Sequence, residues 1–152
     1  MKLAEALILR ADSQKRIEQL QQRLLRSAKV QEGDKPAENP QTLLDEFEQT
    51  TIQLTRLIQQ INRTNSVVEL EKGVTLSDAL AVRDVQQIKQ TFYRSLAQAA
   101  AITQDRSTKS EVRFRSTVSV ETMQKQADTL AREHRELDAK IQALNWQAEL
   151  LE

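Results

Sequence analysis

Residues 61–84, INRTNSVVELEKGVTLSDALAVRD, decide how the whole chain is read. Helix signals stop here, strand and turn signals take over, and polar residues crowd together. Val67, Val68 and Leu70 form a short β-type run that ends at Lys72-Gly73. Thr75 and Ser77 both suit the cap of a following helix, and Asp78 stands three residues after Thr75, as in a capping box. The stretch also holds Asn62, Arg63, Asn65, Arg83 and Asp84, and it ends inside the next helix.

Upstream, residues from about Lys2 to Ala28 read as one helix, with Leu3, Leu7, Ile17, Leu20 and Leu24 forming an apolar stripe at helical spacing. Arg10, Ser13 and Gln14 interrupt the stripe. The gap is either a solvated patch or a buried polar layer in which Arg10 faces a carboxylate on another helix. Residues 32–40, EGDKPAENP, are a loop by composition. Asn39 then caps a second helix that opens on Pro40 and runs to about Asn62. Its stripe is Leu43, Phe47, Thr50, Leu54, Leu57, Ile58 and Ile61, and the two helices make an αα-hairpin.

Downstream, a third helix runs to about Gln104, with Leu76, Leu80, Ile88, Phe92, Leu96 and Ala99 expected to face inward. Asp84 lies four residues after Leu80 and four before Ile88, which puts a carboxylate on that apolar face. Such a charge needs a partner, and Arg10, Arg63 and Arg83 are the candidates. Residues 104–110, QDRSTKS, form a polar loop that includes Arg106. In residues 111–118, EVRFRSTV, apolar and polar positions alternate as in a half-buried strand, the expected partner for the run near Val67–Leu70. The last helix starts near Ser119. Met123, Ala127, Leu130, His134, Leu137, Ile141, Leu144, Ala148 and Leu151 recur in a heptad seam, the pattern of coiled-coil packing against this chain or another subunit. Trp146 points away from that seam and implies a second buried face, made by another helix or by a subunit contact.

Composition narrows the function classes. A chain of 152 residues is most simply one domain. Its 22 basic and 22 acidic residues balance, which argues against general binding to nucleic acid or anionic membranes. Two glycines, two prolines and few aromatics favour long helices over a β-sandwich or barrel. The chain has no cysteine, so disulfides and thiolate chemistry are excluded. The opening run LAEALIL carries Glu5 and is a poor signal peptide, and no run approaches the roughly 20 apolar residues of a membrane span. The expected address is the cytoplasm.

Specific chemistries fare poorly. His134 is the sole histidine, so a di-iron carboxylate bundle with two Glu-x-x-His pairs is out; it reads as a core residue that Asp138 could hold. Glu133 with Glu136, and Glu149 with Glu152, resemble the magnesium motifs of all-α nucleotide pyrophosphohydrolases. They lie about 24 Å apart on one helix and cannot share a metal. No Gly-rich phosphate loop or nucleophile elbow is present. Arg113 and Arg115, with Lys109 and Arg106 nearby, read as a solvated strand face or a small anion patch.

The segments MKLAEALILRAD, INRTN, TLSDALAVRD, QDR with SEVRF and STV, and NWQAELLE together resemble a family of small bacterial helical proteins often labelled septicolysin, otherwise of unknown function. The resemblance spans nearly the whole chain. The label implies a cytolysin, whereas the residues offer no membrane-length run and no amphipathic hairpin suited to a barrel. Asn62, Arg63, Asn65, Asp78, Arg83, Asp84, Arg106, Asn145 and Trp146 fall within its segments.

The expected architecture is mainly α: four long antiparallel helices in a bundle, with a small two-stranded β-ribbon at one end. The expected function is interaction as a homo-oligomer, with no cofactor or metal and no nucleic-acid partner, and with Asn145 and Trp146 as interface candidates. The alternative is a ligand-binding or catalytic cluster of Arg10, Asn62, Arg63, Asn65, Asp78, Arg83, Asp84 and Arg106.

Overall fold

Four helices form where caps and breakers allow them. The structure, a computed structural model, describes residues 1–102 and 112–152. The order is α1 (Leu3–Arg26), α2 (Pro40–Val67), β1 (Glu69–Glu71), β2 (Val74–Thr75), α3 (Leu76–Ala100) and α4 (Val120–Gln147). The protein is therefore mainly α with one two-stranded sheet, as expected. Two compact units share the chain: residues 1–69 with 142–152, and residues 70–141.

In the first unit, α1 begins where the Lys2 backbone N–H donates to the Glu5 carboxylate at 2.7 Å. It ends at Ser27, whose N–H closes onto the Arg23 and Leu24 carbonyls. Gly33, at φ 89°, supplies a left-handed turn in the connecting loop. Asn39 Oδ1 accepts from the Gln41 N–H at 3.0 Å and starts α2 behind Pro40. Leu3, Ala6 and Leu20 of α1 and Leu43 and Ile61 of α2 are buried in the hairpin. Arg16–Glu46 and Arg23–Glu38 flank it, pairing late α1 residues with early ones of the second arm, as antiparallel packing requires.

The second helix runs five residues past Asn62, because nothing between Pro40 and Gly73 breaks it. Thr64 and Ser66 return their hydroxyls to the Gln60 and Arg63 carbonyls and stay helical. Val67 and Val68 are thus helix end and cap, and the strand begins at Glu69.

That strand does not pair with residues 111–118. It pairs with β2 across Lys72-Gly73, where Gly73 at φ 80° makes the turn. A two-residue loop closes a hairpin at far lower entropic cost than a partner some forty residues away. Residues 112–118 adopt no strand, and Phe114 is 80% exposed. Alternation alone does not make a strand, and β1 pairs with its neighbour in sequence instead. Glu111 and the loop containing Arg106 lie outside the described residues.

In the second unit, Thr75 Oγ1 accepts from the Asp78 N–H while Asp78 accepts from the Thr75 N–H, the capping box read from the sequence. The helix stops at Ala100, a turn short of Gln104. Ser119 Oγ accepts from the Thr122 N–H and starts α4. The seam of α4 is real: Ala127, Leu130 and Ile141 are buried, and Met123, His134, Leu137 and Leu144 are half-buried. Leu151 does not extend it, because the helix ends at Gln147.

Three carboxyls sit below their usual range: Glu38 through its bonds from Arg23, Asp78 through the Thr75 cap, and Glu149 through Lys2 and the terminal ammonium. A carboxylate with a depressed folded-state pKa stabilises the fold above its unfolded value, and that contribution is lost as pH falls through the folded value. Urea unfolding should therefore give constant stability between neutral pH and about 5, then decline through and below the ordinary carboxylate range near 4. Thr75→Ala should cost about 1 kcal/mol in the same measurement and weaken the acid dependence contributed by Asp78.

Candidate functional site

The polar positions singled out in the sequence divide between the two units. Arg10, Asn62, Arg63 and Asn65 belong to the first, with Asn145 and Trp146; Asp78, Arg83 and Asp84 belong to the second.

In the first unit, the polar residues build a clasp between the chain's two end segments. The Leu3 N–H donates to the Ala148 carbonyl at 2.9 Å, and the Leu150 N–H to Met1 O at 2.8 Å. Lys2 and Glu149 form an antiparallel bridge that their side-chain ion pair reinforces. Thr64, fully buried, accepts the Leu151 N–H at 3.0 Å on the same Oγ1 that donates to Gln60 O at 2.8 Å. Arg63 donates to the Glu152 backbone oxygen. The segments INRTN and NWQAELLE therefore meet each other, and Thr64 is the residue that sequence reasoning missed. Its signal is weak: a small hydroxyl residue three positions after Ile61, on the helix's apolar face.

Asn62 is exposed, Asn65 half-buried and Asn145 buried. Arg10 is half-buried, its Nε lies out of solvent with no hydrogen-bond partner, and no carboxylate of the described residues pairs with it. Trp146 is 56% exposed, so the described residues do not form the second buried face expected of it.

In the second unit, Asp78 is occupied as the α3 cap. Arg83 is drawn inward and donates to Asp138 of α4 at 2.9 Å. Asp138 thereby serves α3 rather than the His134 ring. Asp84 does not lie on an inward face: its side chain is 72% exposed, with only a loose 3.7 Å approach from Arg83.

The cause is the rotation of α3. Its inward side carries Leu76, Ala79 and Ala97, all buried, and Arg83, Gln86, Gln90 and Tyr93, all half-buried. Gln86 Oε1 is buried there without a hydrogen-bond partner. Ile88, Phe92 and Ala99, expected in the core, are exposed instead. Together with Val82 and Val85 they form an apolar stripe on the outside: Val82 51%, Val85 53%, Ile88 68% and Phe92 59% exposed. Leu76, Leu80 and Leu96, expected inside, are buried or half-buried, so the helix packs a mixed apolar and polar face inward and leaves a second apolar face exposed.

The described residues contain no group of His, Asp and Glu arranged to hold a metal ion, and no helix long and apolar enough to cross a membrane. Removing each side chain separates structural from peripheral roles. Thr64→Val should lower stability by about 0.5–1.5 kcal/mol, since it removes the oxygen that accepts the Leu151 N–H. Asp84→Asn should stay within about 0.5 kcal/mol of the parent by urea unfolding, as a solvated surface change does.

None of the curated proteins matches this chain. Among solved structures, it is similar to a functionally unknown conserved protein from Corynebacterium diphtheriae, at 49% identity over 99% of each chain with a TM-score of 0.95. Neither that description nor the matching family carries the septicolysin label. Residues 10–150 match the family described as "Family of unknown function (DUF6847)", and the chain belongs to that family.

Proposed function

We propose that this protein works by self-association, with the outward face of α3 as its contact surface. The observation that supports the reading is the outward apolar face of α3: Val82, Val85, Ile88 and Phe92 are each more than half exposed on one helix. Fully burying such a side chain is worth about 1.5–3 kcal/mol. Covering the exposed halves of four therefore supplies several kcal/mol, while leaving them in water forgoes it. A run of large apolar side chains on one helix is the signature of an interaction site rather than of scattered surface residues. Trp146, a residue type enriched in interfaces, adds a further outward aromatic on the last turn of α4. We place the protein in the cytoplasm, a reducing compartment that suits a chain without cysteine.

The test is the native mass in solution by light scattering after size exclusion. The reading expects a stable multiple of the 17.4 kDa chain, and expects Ile88→Glu or Phe92→Glu to return it to 17.4 kDa with helicity intact. A parent protein that runs at 17.4 kDa at every concentration would remove the reading. The cytolysin implied by the septicolysin resemblance makes a different demand: it requires dye release from liposomes at some pH, and the self-association reading expects none.

A further inference from the structure

We propose that the partner is a second copy seated about a two-fold axis, so that Lys89 of each copy meets Glu133 of the other. The proposal rests on the self-association reading and specifies its geometry.

Beside the exposed stripe runs a shallow groove of about 470 Å³ between α3 and α4 of the second unit. Val82 and Val85 of α3 and Leu130 of α4 make its apolar lining, with Lys89 on the α3 side and Glu133 on the α4 side. Neither charge has an ion-pair partner among the described residues. An apolar groove bordered by one cation and one anion is its own complement. A two-fold axis running along it lays α3 of one copy over α4 of the other, and each Lys89 then faces a Glu133. Both pairs form at once, because an isologous contact repeats every interaction.

The area is also right. Val82 and Val85 line the groove, Ile88 and Phe92 stand on the stripe beside it, and together they offer on the order of 400 Å² of apolar surface. That is close to the apolar share of the ~800 Å² each partner contributes to a standard interface.

A charge-reversal cycle tests the geometry separately from the assembly. Sedimentation equilibrium would be run on the parent and on Lys89→Glu, Glu133→Lys and the double reversal. Each single change sets like charges against each other and should weaken the dimer by about tenfold or more, while the double reversal restores it to near the parent value. High salt should shrink the effect of the single changes, since these are rim charges. If the parent dimerises and the three variants match it, the groove is not the contact and the self-association reading survives. A double variant as weak as the two singles combined would also overturn the pairing. A monomeric parent would remove both the pairing and the reading beneath it.

Discussion

The contact between Arg83 and Asp138 sets the rotation of α3, and the character of the second unit follows from it. A guanidinium drawn inside a unit needs a carboxylate with it, because an unpaired buried charge is costly. Asp138 on α4 answers at 2.9 Å, which turns the Arg83 side of α3 inward. At 3.6 residues per turn, Val85 and Phe92 lie about 160° and 180° round the helix from Arg83. Anchoring Arg83 inward therefore sends the apolar stripe outward. Gln86 and Gln90 follow Arg83 inward, one of them with a buried oxygen lacking any donor in the described chain.

The first unit solves a different problem. Its hairpin of α1 and α2 is ordinary apolar packing around Leu3, Leu20, Leu43 and Ile61. What distinguishes it is the short antiparallel bridge between Lys2 and Glu149, with Thr64 holding Leu151 from α2. Arg63, which reads as part of a possible reactive cluster, is spent here on the Glu152 backbone oxygen, and its neighbour Thr64 on an amide. Buried or terminal backbone groups must be paired, and short polar side chains near a helix end are the usual means.

Helix existence was legible because periodicity and caps are local signals. Asn39-Pro40 and Thr75 with Asp78 start helices where the residues say they should, and the α4 seam at Ala127, Leu130 and Ile141 is buried as its heptad spacing implies. The resemblance pointed to small helical proteins of unknown function, and the family match agrees at that level. Apart from helix ends such as that of α2 at Val67, the differences are non-local. Residues 112–118 alternate like a strand, but β1 pairs with β2 across a two-residue turn instead. Asp84, Ile88 and Phe92 were turned inward because apolar periodicity shows that a helix has two sides without saying which side faces its own chain. That choice is made by Arg83 and Asp138, fifty-five residues apart in sequence and adjacent in space. Thr64 escaped notice for the same reason, since its partner Leu151 is eighty-seven residues away.

The central claim is that the outer face of α3 is covered when the protein assembles. Because the chain has no cysteine, Val85→Cys would install a unique thiol of similar size on that face. Its rate of maleimide modification, followed across protein concentration, reads the cover directly. The account predicts fast labelling in dilute solution and protection as concentration rises, while a control thiol at exposed Glu18 labels at a constant rate. Equal labelling of the two thiols at all concentrations would contradict it.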